Sequence, residues 1–170
     1  MLMLGYSGEG MRAAACFLAS VLVSCTATEK QRAMVEIDHL NPPEMHSNPA
    51  FSQAICVEGA HRTVYIGGQN AVDATGQIVG VGDVAAQAAQ VARNFRAVLD
   101  AVDAGPEAVV KWTVHVVHGQ ELLPAMAAFQ GELASPAKPA TVTVLYVSGL
   151  AHPDFLIEID AIAVLPPSDA

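Results

Sequence analysis

The chain has 170 residues, 52% of them hydrophobic and 15% charged, and a formal net charge of −9. That length and apolar content suit one globular domain with a sizeable core and leave room for a short appendage. Phosphate contacts need clustered Lys and Arg, and no such cluster occurs, so the composition argues against nucleic acid as the main ligand.

The first 33 residues read differently from the rest. Arg12 precedes a run of apolar or small residues from Ala13 to Ser24. The run is too short to span a bilayer. It fits the apolar region of a secretory signal, and Leu22-Val23-Ser24-Cys25 resembles a bacterial lipobox, whose cysteine would carry lipid. A lone Arg12 behind the acidic Glu9 makes a weak charged lead. The favoured reading is therefore that Met34 is the true start, that 1–33 is a miscalled extension outside the fold, and that 34–170 is the folded unit. A start at Met34 implies a cytoplasmic protein. The lipobox reading implies an exported lipoprotein anchored through Cys25, and only then is a membrane a partner. Without residues 1–33, 15 acids face 5 Lys plus Arg.

Asn41 to Pro49 is rich in turn residues. Phe51–Glu58 and Thr63–Gly67 have strand patterns, and the short loop between them predicts a hairpin. Cys56 stands in an apolar context and is expected to be a buried thiol. Gly67 and Gly68 are expected to break the second strand and serve its turn; alternatively, their N–H groups could hold an oxyanion. Asp73 to Gly82 is a loop. Asp83 is a helix N-cap, and Val84, Ala88, Val91, Ala92, Phe95, Val98, Leu99 and Val102 recur at helical spacing until Gly105-Pro106. Val109–Val117 is a strand. Leu122–Leu133 is a shorter helix that tolerates Pro124 in its first turn. Two further strands span about 140–147 and 156–164. The order β-β-α-β-α-β-β makes an α+β layer with both helices on one face of a sheet. The other face, bearing Thr141, Thr143, Glu158 and Ile162, is only half polar and needs a cover, most simply a second copy of the chain.

Glu158 and Asp160 stand two apart in an apolar strand, so both point to one face. A carboxylate there is solvated, paired or used. Structural carboxylates outnumber catalytic ones, which makes a wet or hydrogen-bonded face the plain reading and activation of water the sharper one. His115 and His118 are offset by three, fall on opposite faces and lack a third ligand, so no metal is expected. His39, His46, His61 and His152 are read as surface residues of loops. Cys-x-x-Cys, Gly-x-Ser-x-Gly and Walker motifs are absent from the sequence, and no cofactor is expected.

Phe51–Ile55, Val64–Gln69, Gly76–Gly80, Val84–Gln90, Asn94–Leu99, Val109–Val114, Pro139-Ala140 and Ile157–Ala163 occur in an order that resembles the RidA family, also called YjgF or reactive intermediate deaminase. The resemblance spans residues 49–165. It implies a chorismate-mutase-like subunit and a homotrimer with small-molecule clefts between subunits. Active members hydrolyse enamines and imines, such as 2-aminoacrylate, to a keto acid and ammonia. Position by position, the family's water-handling glutamate falls on Glu158 and its pocket-closing aromatic on Phe51, without the hydroxyl of the usual Tyr. Its Ser-Gly-Gln falls on Gly67, Gly68 and Gln69, without the Ser.

The family's Pro-Ala-Arg reads Pro139-Ala140-Thr141, so the carboxylate-binding arginine is missing. Thr141 offers one hydroxyl and no charge in place of a bidentate fork. Losing such a contact costs about 1.5–3 kcal/mol, roughly tenfold to over a hundredfold in affinity. The resemblance thus implies a hydrolase of C=N bonds that disfavours 2-aminoacrylate, with Glu158 catalytic and Phe51, Gly68, Gln69 and Thr141 binding substrate. The alternative is a non-catalytic binder of a small metabolite in the same clefts. Ribonuclease activity, ascribed to some members, conflicts with the acidic composition.

Overall fold

The computed structural model describes residues 35–168, so the expectations for residues 1–33, with Cys16 and Cys25, fall outside it. Eight strands and α-helices follow in order among the described residues: β1 (Glu36–Leu40), β2 (Ala54–Glu58), β3 (Arg62–Gln69), α1 (Val84–Asp100), β4 (Val109–Val117), α2 (Leu122–Glu132), β5 (Thr141–Val147) and β6 (Ile157–Leu165), with a short 3-10 helix at Pro106–Ala108 before β4. The fold is α+β, with two helices on one face of a four-stranded sheet ordered β3-β6-β4-β5. β4 and β5 are parallel, and the other neighbours are antiparallel. A parallel pair needs a crossover, which α2 supplies.

Local chemistry accounts for the elements. The Asp83 carboxylate accepts hydrogen bonds from the Ala85 and Ala86 N–H groups and so caps α1. Val84, Ala88, Val91, Ala92, Phe95 and Leu99 form its buried stripe. In β6 the buried set Ile157, Ile159, Ala161 and Ala163 alternates with the half-buried set Glu158, Asp160 and Ile162. The first set faces the helices. There Phe95, fully buried, meets Trp112 edge-on at 4.9 Å and Phe129 at 6.2 Å. The second set faces away from the helices.

Three local expectations are corrected. The strand at 51–58 does not form a hairpin with the next one: β2 pairs with β1, from Leu40↔Ala54 to Glu36↔Glu58, and β3 pairs with β6. β1 itself lies ahead of the turn-rich segment, and His39 is a half-buried strand residue in it rather than a surface loop residue. Cys56 is exposed, not buried. The ribbon's alternation decides this: Ile55 and Val57 take the covered side, and Cys56 shares the other with its register partner Asp38. The ribbon is fastened near the start of β5. Ser52 N–H donates to the Ala140 carbonyl at 3.0 Å, Ser52 Oγ donates to the Pro139 carbonyl at 2.6 Å, and His39 Nδ1 lies 3.0 Å from both Ser52 Oγ and Pro139 O.

Candidate active site

Gly67 and Gly68 lie inside β3, not in a turn after it. Ile66 is opposite Ala161 and Gln69 is opposite Ile159, so the two glycines together face Asp160 in a bulge. Neither has a positive φ. Space is what Gly68 needs. A Cβ there would stand 2.5 Å from Glu158 Oε1 and 2.8 Å from its Cδ, whereas a Cβ at Gly67 would meet nothing within 4 Å. The Glu158 carboxylate therefore rests on the Gly68 backbone. Gln69 is half-buried, and its amide donates to the Gly67 carbonyl at 3.0 Å, which holds the bulge from the other side.

On β4, His115 stands opposite Glu158 and Thr113 opposite Asp160, with Leu145 and Thr143 of β5 next in line. Leu145 is exposed on this face. His115 is half-buried, and its Nδ1 is buried without a hydrogen-bond partner among the described residues. Glu158 and Asp160 likewise have no side-chain hydrogen bond or ion pair within that set. Two half-exposed carboxylates, unpartnered on a sheet face that the two helices do not cover among the described residues, can accept protons from water or from a ligand. Among the described residues no group of three His, Cys, Asp or Glu side chains could hold a metal.

Phe51 and Thr141 form a second cluster. Phe51 precedes Ser52, which is laced to Ala140, so the aromatic sits beside the start of β5. Thr141 Oγ1 donates to the Val110 carbonyl at 3.0 Å, so its one donor is already used. Thr141 pairs with Lys111, and Glu158 with His115 four residues further along β4. Four residue rises and two strand spacings put the clusters roughly 16 Å apart within one chain. One chain thus gathers Glu158, Gly68 and Gln69 at one place and Phe51 and Thr141 at another.

Three functional candidates escape a sequence-only reading. Lys111 is exposed in register with Thr141 and shares its face with Thr113 and His115, which makes it the cation in register with Thr141. Strand parity in the sequence gives the face it shares with Thr113 and His115, and only the parallel register of β4 and β5 sets it beside Thr141. Arg62 donates to the Pro166 carbonyl at 3.2 Å. Gln87, fully buried, donates to the Asp154 and Gly80 carbonyls at 2.7 and 3.2 Å and accepts from the Leu156 N–H at 2.8 Å. Asn94 donates to the Asn70 and Val72 carbonyls at 2.9 and 3.0 Å. These two side chains of α1 anchor the segments flanking Glu158 and Gln69. An amide in a run of alanines, as at Ala85-Ala86-Gln87-Ala88, was the available signal.

Comparison with known proteins agrees with this architecture. The sequence profile of the Endoribonuclease L-PSP family matches residues 41–165. A RutC family protein from Synechocystis sp. is 37% identical over 117 residues, covering 68% of this chain and 86% of that protein. A crystal structure of a Rid family protein of unknown function from Yersinia pestis is 35% identical with a TM-score of 0.65, covering 76% of this chain and 98% of that one. RidA from the Antarctic bacterium Psychrobacter sp. shares the fold, at 24% identity and a TM-score of 0.54, covering 73% of this chain and all of that one. The chain belongs to the Endoribonuclease L-PSP family, the group of RidA-like (Rid, YjgF, RutC) proteins.

Proposed function

We propose that the protein hydrolyses a reactive enamine or imine to a carbonyl compound and ammonia, with Glu158 as the group that handles water. The observation that carries this reading is the seat of Glu158. Its carboxylate lies on a glycine backbone, half-exposed and without a partner among the described residues, on the sheet face away from the helices. In a homotrimer, two clusters that lie roughly 16 Å apart within one chain come together when the Glu158 cluster of one subunit faces the Phe51–Thr141 cluster of the next across an intersubunit cleft.

In the reaction, Glu158 takes a proton from water as its oxygen bonds to the C=N carbon and the π pair moves to nitrogen. The nitrogen is protonated in turn. The hydroxyl proton of the carbinolamine then passes by way of Glu158 to the nitrogen, the C–N bond breaks with its electron pair leaving on ammonia, and the oxygen closes to C=O; an enamine enters the same route after tautomerising to its imine. Gly68 and Gln69 position the substrate, and Phe51 closes over it. Without the arginine, and with the Thr141 hydroxyl donating to Val110, 2-aminoacrylate is a poor substrate; Lys111 offers a flexible point charge rather than a fork.

The test is semicarbazide trapping of enzymatically generated imines. Wild type should reduce semicarbazone yield and Glu158→Gln should not. Equal behaviour of the two proteins removes Glu158 from the reaction.

A second reading is favoured by the spent hydroxyl of Thr141, together with Phe51 and Gly67 standing where the family carries hydroxyls: a binder that shelters a metabolite without converting it. A ligand that raises the melting temperature and is recovered unchanged supports it. Cleavage of RNA finds no support in a chain of net charge −9.

A further inference from the structure

A cavity of about 320 Å³ lies on the helix side of the sheet, apart from Glu158. It is bounded by the C-terminal half of α2, the helix-facing side of β4 and β5, and the loops at 49–50 and 134–140. Val114 and Ile159 line it and are buried, so their sequence neighbours His115 and Glu158 point to the opposite face. The walls are Trp112, Met126, Phe129, Leu133, Pro139 and Val142. Trp112 and Phe129 meet edge-on at 5.5 Å and 84°, forming an aromatic corner. Ala50 and Ala134, both exposed, bring the lining out to the surface.

We propose that this cavity is a second binding site, for a small uncharged aromatic molecule carrying one hydrogen-bonding substituent. Three observations fix the class. The volume falls within the usual range for small-molecule sites and is about twice that of a dry apolar cavity known to hold benzene, roughly 150 Å³. No residue lining it carries a charge, although the chain as a whole bears −9, so a charged ligand would lose its hydration with no partner in return. Besides the Trp112 indole N–H, the polar side chains in the lining are those of Gln130 and Ser135, enough for one substituent. The site needs no second subunit and does not depend on the hydrolase reading.

Trp112 is the single tryptophan of the sequence, so its emission reports on this cavity alone. Titration of the full chain with benzyl alcohol should change that emission saturably. The isosteric ions benzoate and benzylammonium should bind at least about tenfold more weakly. Val142→Phe fills the cavity from its floor, and Ala134→Phe fills it from an exposed position where folding is not at risk. Each should weaken benzyl alcohol binding at least about tenfold while the melting curve stays cooperative, and if Val142→Phe does not fold, Ala134→Phe decides alone. The proposal is overturned by an unsaturable or absent response, by equal affinity for the two ions, or by wild-type binding in a folded Ala134→Phe.

Discussion

The carboxylate of Glu158 lies directly over the backbone of Gly68, so close that even a methyl group on that residue would stand 2.5 Å from Oε1. The bulge in β3 and the open face of β6 meet there, and the two neighbouring glycines are not equivalent. Gly68→Ala forces the carboxylate aside. The displaced atoms are the far end of a flexible side chain, so the stability loss should be small, about 1 kcal/mol. The loss of C=N hydrolysis should approach that of Glu158→Gln. Gly67→Ala meets nothing and should be neutral or stabilise by about 0.4–1 kcal/mol through the unfolded chain. Urea denaturation and semicarbazide trapping on both variants test the contrast, and equal loss of turnover in the two would break the link between Gly68 and Glu158.

Gln87 gives the second prediction. Its amide reaches the segment that feeds β6 and the loop before α1 at once. Gln87→Leu keeps the bulk but strands the Leu156 N–H and two carbonyls in part-buried positions. The expected cost is about 2–4 kcal/mol. Asn94→Leu should act similarly on the Asn70–Val72 segment. A midpoint shift in urea without a change in slope would confirm that stability, not compactness, is lost.

Where sequence and structure agree and where they part has a physical pattern. β4 runs over Val109–Val117 as its β-branched run predicts, and α1 starts at the Asp83 cap. Periodicity and capping are written in neighbouring residues. Strand pairing is not: β2 and β3 are joined by a short loop yet pair with different strands, because partner choice depends on distant residues. Cys56 is exposed for the same kind of reason, since an apolar context does not say which side of a ribbon is covered. The same-face placement of Glu158 and Asp160 was legible from alternation. Lys111 beside Thr141 needed the parallel register of β4 and β5. Gly68 read as a turn glycine because steric need for a missing side chain leaves no local mark.

Asp73 predicts a pH dependence. Its carboxylate accepts from the Thr75 hydroxyl at 2.7 Å and from the Thr75 and Gln77 N–H groups, which holds its pKa below the ordinary carboxylate value. A depressed folded pKa means that the group stabilises the fold fully above its unfolded pKa. The contribution is lost as pH falls through the folded one. The melting-temperature gap between wild type and Asp73→Asn should therefore be constant from neutral pH to about pH 5 and shrink below that. A gap that widens on acidification would contradict the sign.

Thr141→Arg is the sharpest test of the missing anchor. The position begins β5 beside Lys111, and the wild-type hydroxyl is engaged by the Val110 carbonyl. A guanidinium there would restore a bidentate grip on a substrate carboxylate. Binding should strengthen by about 1.5–3 kcal/mol, which raises kcat/KM on 2-aminoacrylate roughly tenfold to over a hundredfold. Lys111→Met should lower whatever turnover the wild type shows on that anion and leave neutral imines unaffected. If instead the wild type already turns over 2-aminoacrylate rapidly and Thr141→Arg adds nothing, the anchor is supplied elsewhere. Comparing Lys111→Met with wild type then shows whether the ammonium one strand away is its source.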